Sequence, residues 1–313
     1  VFRVRRDINV NLGEGNDAFE IKGQGVKKLA DINSITIKAG SGIDLVVVEN
    51  LALRSDLTIK GEADDDQLYL QNVAVPRSLL VEGSEGQDNV VLTNAVASGE
   101  VSVDTGEQDD RITLNDGTYR QNVTLRGGAG NDLAYIFGSK ISKNTQIDLG
   151  DTNEEEHDLL DIRRMSTGKD LQVLVGAASD YLTILDTTIG GNMRVVGDKG
   201  PDVFSLSSSR VVGNTEIDMG YPGLLETDNV TITSSNLGGS LRLTTGDGND
   251  QINLTSSVFK KGVEISMGLG NDTFDAQVLQ ALDRFFLDMG SGGDNASVRD
   301  SGLGGPRRYR SSA

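Results

Sequence analysis

The chain has no cysteine and no tryptophan, and it holds only four prolines, one histidine and 4% aromatic residues in 313 positions. Without cysteine, disulfide bonds are excluded as a source of stability. With so few prolines, nearly every residue keeps the main-chain N–H donor that a β-sheet ladder needs. No apolar run approaches the length of a membrane-spanning helix, so we expect no membrane span.

Positive charge is scarce too, since 47 acidic residues stand against 29 basic ones and the formal net charge is −18. Such a surface repels nucleic acid and anionic membranes, and it favours solubility and cations. We therefore expect no nucleic-acid partner. The residues from Ser301 onward are rich in glycine, serine and arginine, and we expect 301–313 to form a flexible basic C-terminal tail. An end without an obvious cap is compatible with a piece of a longer chain.

What the sequence does contain is one short motif, repeated. Gly-x-Gly-Asn-Asp, with apolar residues two and four places after the aspartate, occurs in closely similar form at 13–17, 128–132, 246–250 and 268–272. Counted on the aspartate and with looser copies included, the registered positions are Asp17, Asp44, Asp66, Asp88, Asp110, Asp132, Asp158, Asp180, Asp202, Asp228, Asp250, Asp272 and Asp294. Nine of the twelve steps are 22 residues long, and a fixed period of this length indicates a solenoid, propeller or array.

Each repeat predicts three short strands. The apolar residues after the aspartate alternate with polar ones, which indicates a strand with one buried face. A second apolar pair lies nine and seven residues before the next aspartate, with a weaker strand between. The loops lack a consistent two-residue turn, so we expect each strand to pair in parallel with its copy one coil later and to bury a continuous core. We predict an all-β fold, a single right-handed parallel β-helix of about 13 coils of 22 residues over 1–300.

One segment, residues 275–287, fits two interpretations. Its apolar residues cluster on one face of a helix, whereas the coil register places Leu279, Ala281, Phe285 and Leu287 inside a strand-built core. We favour the register, because it continues the pattern of the preceding coils.

Three of the steps are longer than 22 residues, with the extra residues in 22–33, 151–157 and 221–227. The second and third insertions occupy the same corner of the coil. Insertions on one face can mark a binding surface in a solenoid, but loops at exposed corners are also simply tolerated. We prefer the second interpretation.

A column of carboxylates needs groups that offset the repulsion between neighbouring charges. Neighbours about 4.8 Å apart repel by about 1 kcal/mol in water and by about 3.5 kcal/mol at an effective dielectric of 20. Each aspartate can accept hydrogen bonds from N–H groups at its own corner, as in an Asx turn. Alternatively, a Ca²⁺ ion can lie between successive corners, bound by carboxylate and carbonyl oxygens.

The corner motif resembles the G-G-x-G-x-D-x-U-x repeat of the RTX, or hemolysin-type, calcium-binding family. The resemblance implies Ca²⁺ held between stacked turns by glycine carbonyls and the aspartate carboxylate. The matching residues in the three adjacent corners that fit best are Gly246, Gly248, Asp250, Gly268, Gly270, Asp272, Gly290, Gly292 and Asp294. The spacing departs from that family, whose repeat is a nonapeptide. A coil of 22 residues resembles the right-handed β-helix of pectate-lyase-like proteins instead.

These resemblances imply a bacterial protein that is extracellular or on the cell surface, and two functions remain open. The first is a non-enzymatic structural or adhesive segment rigidified by Ca²⁺, with carbohydrate or another surface protein as partner. The alternative is a polysaccharide lyase or hydrolase that acts on an acidic glycan along an outer strand face.

The residues available for the enzymatic alternative are Asp161, Glu20 and Asp275, with Arg111 nearby. They lie in different coils, and no pair of them satisfies the separation of about 6.5–9.5 Å that inverting sugar hydrolysis needs. His157 lies in an acidic insertion and is interpreted as a solvated surface residue. The sequence therefore favours the non-enzymatic function.

Overall fold

A computed structural model of the chain describes residues 6–23, 32–150, 157–220, 223, 225–299 and 301–312. The chain divides into two compact units, residues 1–150 and residues 151–313, called here the N-terminal and the C-terminal unit. Every helix or strand assigned within the described residues is a β-strand, as the all-β prediction requires. Within those residues, no helix is long and apolar enough to cross a membrane.

The strands of the N-terminal unit form three parallel sheets, one for each side of a coil. Sheet 1 follows the aspartates and contains β2 (Ala18–Lys22), β4 (Leu45–Glu49), β6 (Gln67–Gln71), β9 (Asn89–Thr93), β12 (Arg111–Asn115) and β15 (Leu133–Phe137). Sheet 2 contains the short strands β7 (Ala74–Val75), β10 (Val96–Ala97), β13 (Thr118–Tyr119) and β16 (Lys140–Ile141). Sheet 3 precedes the next aspartate and contains β1 (Arg6–Glu14), β3 (Ile32–Ser41), β5 (Leu57–Ala63), β8 (Leu79–Glu85), β11 (Val101–Glu107), β14 (Val123–Ala129) and β17 (Thr145–Asp148).

The C-terminal unit repeats this plan. Its sheet 1 contains β18 (Leu159–Arg163), β21 (Tyr181–Leu185), β24 (Val203–Ser207), β28 (Asn229–Thr233), β32 (Gln251–Thr255), β35 (Thr273–Gln277) and β38 (Asn295–Arg299). Its sheet 2 contains β19 (Ser166–Thr167), β22 (Thr188–Ile189), β25 (Arg210–Val211), β29 (Asn236–Leu237), β33 (Val258–Phe259), β36 (Gln280–Ala281) and β39 (Gly302–Leu303). Its sheet 3 contains β20 (Leu171–Leu174), β23 (Met193–Val196), β26 (Thr215–Asp218), β30 (Leu241–Thr244), β34 (Val263–Ser266), β37 (Phe285–Ser291) and β40 (Arg307–Ser312). A small additional pair joins β27 (Leu225–Glu226) to β31 (Asp247–Gly248).

Each strand pairs in parallel with its copy in the next coil. In the N-terminal unit Leu45 pairs with Gln67, and in the C-terminal unit Val203 pairs with Asn229 across one of the longer steps. The parallel β-solenoid with coils of about 22 residues and three strands per coil is therefore confirmed. The alternation of side chains in a strand puts the predicted apolar pairs inside, as with Leu68 and Leu70, which are at most 1% exposed.

The segment that allowed two interpretations follows the register. Leu279, Ala281, Phe285 and Leu287 are all at most 1% exposed, and β35, β36 and β37 occupy the segment that a helix would have taken. The prediction of inward residues on strands is confirmed here.

The strand pattern continues past residue 300, since β40 pairs with β37. The flexibility expected for residues 301–313 and a domain boundary at residue 300 stay predictions. The predicted insertions fall largely outside the described residues, which omit 24–31, 151–156, 221–222 and 224.

Candidate functional site

The repeated aspartates form a hydrogen-bonded ladder at the corner between sheet 3 and sheet 1. In each step within a unit, the main-chain N–H of one aspartate donates to Oδ1 of the aspartate one coil later. The N···O distances are 2.7–2.9 Å from Asp17 to Asp132 and 2.7–3.2 Å from Asp158 to Asp294. The bonds therefore join coils, whereas the sequence suggested N–H donors at each aspartate's own corner.

The carboxyl groups of this ladder lie inside the solenoid. All of the registered aspartates from Asp44 to Asp272 are at most 3% exposed. Their second oxygen is buried without a hydrogen-bond partner at Asp44, Asp66, Asp88, Asp110, Asp180, Asp202, Asp228, Asp250 and Asp272. One oxygen of each of these carboxyl groups is thus hydrogen-bonded, and the other is removed from water without a hydrogen bond in exchange.

Burial raises the pKa of most ladder carboxyls far above the ordinary 3.8, because the charged form loses its water. The N–H bond to the preceding coil opposes this effect, and neighbouring carboxylates add to it at most steps. The pKa is raised to about 6 at Asp250 and Asp272, to about 7 at Asp66, Asp88 and Asp180, to about 8 at Asp110 and Asp228, and to about 10 at Asp202.

The glycines of the best-matching corners form two stacks in the C-terminal unit. Gly246, Gly268 and Gly290 have φ of +82°, +83° and +77°, while Gly270 and Gly292 have +149° and +148°. A methyl group on Gly268 would overlap the carbonyl oxygen of Gly246 one coil earlier, and the same holds along both stacks. Glycine is needed at these positions for the backbone conformation and for the close approach of successive coils.

The structure brings the predicted metal residues together in one corner region, but with the carboxyls turned inward. Asp250 and Asp272 are both members of the buried ladder, and Asp294, half-buried, accepts the N–H of Asp272 at 3.2 Å. Within the described residues, no group of three or more His, Cys, Asp or Glu side chains has the arrangement of a metal site. Oxygens for Ca²⁺ would have to come from glycine carbonyls and from Oδ2 of Asp272, which has no hydrogen-bond partner, and of Asp250, whose carboxyl group lies beside the Thr245 hydroxyl.

A second ladder, of hydroxyl groups, lies at the corner between sheet 1 and sheet 2. In the C-terminal unit, Ser209 Oγ accepts the N–H of Thr187 at 3.1 Å, Ser235 Oγ that of Ser209 at 3.2 Å, and Ser257 Oγ that of Ser235 at 3.1 Å. These side chains are at most 4% exposed. This ladder is not among the features predicted from the sequence, although its members recur seven residues after Asp180, Asp202, Asp228 and Asp250.

The residues considered for a polysaccharide-degrading site do not converge within either unit. In the N-terminal unit, Glu20 pairs with Lys22 at 2.7 Å and Arg111 lies 5.0 Å from the ring centre of Tyr135. In the C-terminal unit, Asp161 on β18 accepts the Nε–H of Arg163 at 2.8 Å, whereas Asp275 lies on β35, several coils away. His157 is exposed, and its Nδ1 accepts the N–H of Ser179 at 3.3 Å.

One pocket of about 290 Å³ lies on the C-terminal unit, and its lining includes Asp218, Gly220, Arg242 and Asp247. Asp218 accepts a hydrogen bond from the Thr244 hydroxyl, and the two oxygens of Asp247 accept the N–H groups of Gly223 and Leu269 at 3.0 and 3.1 Å. Both carboxylates are therefore engaged in holding the loop and the strands.

Comparison of the chain with protein-family models, with curated proteins and with solved structures finds no match.

Proposed function

We propose that the chain is a non-enzymatic structural or adhesive β-solenoid segment of a bacterial protein that is secreted or displayed on the cell surface. One observation carries this proposal. The residues that define the repeat make their contacts inside the molecule. The aspartates accept main-chain N–H groups there, and the glycines allow successive coils to approach closely. The chemistry of the motif thus holds coils together, and it leaves the outer faces free for contact with a carbohydrate or another surface protein.

Ion pairs along the outer face of sheet 3 support a structural role. Lys38 pairs with Glu62 at 2.6 Å in the N-terminal unit, and Arg194 with Glu216 at 3.9 Å in the C-terminal unit. Each pair joins neighbouring coils, and its members are about half exposed. Such pairs contribute about 0–1 kcal/mol each, so they adjust the packing of coils and add little stability.

The test is a search for turnover. We expect the purified chain to leave acidic polysaccharides intact, with or without Ca²⁺, when product formation is followed by reducing ends and by absorbance of unsaturated sugars. Binding without cleavage, measured by calorimetry, would identify an adhesive segment. Cleavage that is lost in Arg242→Ala would overturn the proposal in favour of the enzymatic alternative, for which the pocket lined by Asp218 and Arg242 is the supporting observation.

We also propose that Ca²⁺ stiffens the corners of the C-terminal unit at Gly246, Gly248, Asp250, Gly268, Gly270, Asp272, Gly290, Gly292 and Asp294. The buried Oδ2 atom of Asp272, which has no hydrogen-bond partner, supports this idea, since a hard cation would be an electrostatic partner for it. A thermal melt after chelation tests it. Saturating Ca²⁺ at 100 times its dissociation constant stabilises by about 2.7 kcal/mol per site.

The matched variants for that melt are Asp272→Asn and Asp110→Asn, because the corner before Asp110 lacks the Gly-x-Gly pair. We expect a Ca²⁺-dependent rise in melting temperature that Mg²⁺ does not reproduce and that Asp272→Asn alone abolishes. A melt unchanged by Ca²⁺ would remove the metal from the proposal and leave the structural role standing.

A further inference from the structure

Asp66 and Asp88 lie in consecutive coils of the N-terminal unit and are 1% and 2% exposed. Asp66 Oδ1 accepts the N–H of Asp44 at 2.9 Å, and Asp88 Oδ1 accepts that of Asp66 at 2.8 Å. The Oδ2 atom of each carboxyl group is buried without a hydrogen-bond partner. An ionised carboxylate in this position would keep its full charge while only one of its oxygens is solvated by the protein, which is a costly arrangement.

The charged groups that face these two carboxyls are all acidic. Asp44, Asp64 and Asp65 act on Asp66, while Asp65 and Asp66 act on Asp88, whose own N–H donates to Asp110. Burial first, and these carboxylates second, raise the pKa of Asp66 and Asp88 to about 7 against the opposing effect of the N–H bond. The surroundings therefore favour the protonated form.

The space beside each Oδ2 also contains an acceptor for a proton. A methyl group built on Gly61 would overlap Asp66 Oδ2 and would lie 2.8 Å from the carbonyl oxygen of Gly83. A methyl group on Gly83 would overlap Asp88 Oδ2 and would lie 2.5 Å from the carbonyl oxygen of Thr105. Each Oδ2 thus borders the same side-chain-free space as a carbonyl oxygen of the next coil, and such an oxygen has two lone pairs to offer.

We propose that Asp66 and Asp88 are neutral carboxylic acids in the folded chain, and that each donates its Oδ2 proton to a carbonyl oxygen of the next coil, Gly83 for Asp66 and Thr105 for Asp88. Each group then accepts one hydrogen bond from the preceding coil and donates one to the following coil. The two junctions are proton-binding sites. Acidification fills them and tightens the stack, and alkali empties them and loosens it.

Carboxyl-carbon NMR on aspartate-labelled protein tests the protonation state directly, with Asp66→Asn and Asp88→Asn used to assign the two resonances. At about pH 5.5 an ordinary aspartate is ionised. We expect both assigned carbons to remain at the chemical shift of the protonated acid at that pH and to move as the pH passes through neutrality. Two ionised carboxylates at about pH 5.5 would overturn the proposal.

Denaturation over the same pH range supplies the second measurement. Asparagine at position 66 keeps an oxygen acceptor and replaces the acidic proton with an N–H donor, so we expect Asp66→Asn to fold. For each proton that the folded chain retains and the unfolded chain releases, the equilibrium constant for unfolding rises roughly tenfold per pH unit. Asp66→Asn has one such proton fewer, so its unfolding constant should rise roughly tenfold less per pH unit than that of the unsubstituted chain.

The matched control is Asp56→Asn, because Asp56 also accepts an N–H from the next coil, that of Ser78 at 3.0 Å, and is not among the carboxylates that act on Asp66 and Asp88. We expect Asp56→Asn to leave the pH slope unchanged. An equal slope in Asp66→Asn and in the unsubstituted chain would contradict the proposal. Should a ladder variant fail to fold, sequential NMR assignment of the unsubstituted chain identifies the two carboxyl carbons, and ionised shifts for both at about pH 5.5 would contradict the proposal.

Discussion

The two buried ladders of the C-terminal unit solve the same problem with different chemistry. At the corner before sheet 1, Asp228 Oδ1 accepts the N–H of Asp202 at 2.8 Å, and at the corner after sheet 1, Ser235 Oγ accepts the N–H of Ser209 at 3.2 Å. Each atom is the acceptor for a buried main-chain donor, and such donors need a partner. The coils of the C-terminal unit thus present two columns of N–H groups whose acceptors are side chains.

The two ladders differ in whether the accepting side chain also donates a hydrogen bond. The Ser235 hydroxyl donates its own hydrogen to the carbonyl oxygen of Thr233 at 2.9 Å, so it both accepts and donates. Asp228 accepts through Oδ1, while its Oδ2 is buried without a partner. The hydrogen bonds of the hydroxyl ladder do not depend on pH. In the carboxyl ladder, Oδ2 gains a partner only when a proton or a cation neutralises the charge of the carboxylate.

The largest effect that follows from this contrast is a loss of stability at high pH. The folded-state pKa values of Asp66, Asp88, Asp110, Asp180, Asp202 and Asp228 are raised to between about 7 and about 10. A raised carboxyl contributes stability below its unfolded pKa, and that contribution is lost as the pH rises through the folded pKa. We expect the free energy of unfolding to fall by about 1.4 kcal/mol per pH unit for each retained proton.

Urea denaturation at a series of pH values between about 5 and 9 measures this slope, since the shifted groups titrate in that window. Ser235→Ala serves as the control and should show the same slope as the unsubstituted chain. Stability that rises with pH would contradict the account of the carboxyl ladder.

Removal of one aspartate from the carboxyl ladder should cause the next largest loss of stability. Asp202→Ala leaves the N–H of Asp180 buried without an acceptor and opens a small cavity, so we expect a loss of about 3 kcal/mol. Asp202→Asn keeps the acceptor oxygen and should cost much less. Denaturation midpoints of the two variants compare them, and equal losses would show that the N–H bond is not what the aspartate supplies.

A steric test comes third. Gly197 lies beside the carboxyl of Asp202, and a methyl group there would overlap Asp202 Oδ2. We expect Gly197→Ala to lose about 2 kcal/mol by overpacking. Gly302→Ala is the control, because a methyl group there meets no atom within 4 Å. If Gly197→Ala were as stable as Gly302→Ala, the Asp202 carboxyl group would not lie against Gly197.

Breaking the hydroxyl ladder should cost less. Ser235→Ala removes the acceptor of the Ser209 N–H, and we expect a loss of about 1 kcal/mol that is the same at every pH. Denaturation at two pH values checks both parts of this expectation. A loss that varies with pH would show that the two ladders are coupled.

The smallest effect is a gain of stability beside the hydroxyl ladder. Val278 has φ of +55° and is 50% exposed, whereas the equivalent corners hold Ser234 and Ser256 at +50° and +51°. A β-branched residue is strained in this conformation and asparagine tolerates it. We expect Val278→Asn to raise stability by about 0.5–1 kcal/mol, and a lower melting temperature would contradict that expectation.

The architecture could be predicted from the sequence because the residues that repeat with a fixed period are the ones that the fold buries. Alternating apolar positions such as Leu68 and Leu70 define the strands, and the recurring aspartate defines the coil. A period states which residues are neighbours, but it does not state which way a carboxyl group turns. For that reason the partner of each aspartate, the N–H of the preceding coil, could not be read from the spacing.

The hydroxyl ladder was hidden for a related reason. The position seven residues after the aspartate holds Leu51, Val73 and Ala95 in three coils of the N-terminal unit, and serine or threonine in much of the C-terminal unit. Among the described residues of the N-terminal unit, only the last such pair continues the ladder, since Ser139 Oγ accepts the N–H of Gly117 at 3.2 Å. A column that mixes apolar and hydroxyl residues gives a weak signal when it is averaged over the chain. Only the coil geometry shows that Ser209 and Ser235 meet.

Amide hydrogen exchange tests the central claim most directly, because it reports each rung separately. In the unsubstituted chain, the N–H groups of Asp180 and Ser209 should both exchange slowly. We predict that Asp202→Ala selectively exposes the Asp180 N–H, while Ser235→Ala selectively exposes the Ser209 N–H. An Asp180 N–H that stays protected in Asp202→Ala would contradict the claim that the corner side chains hold neighbouring coils together.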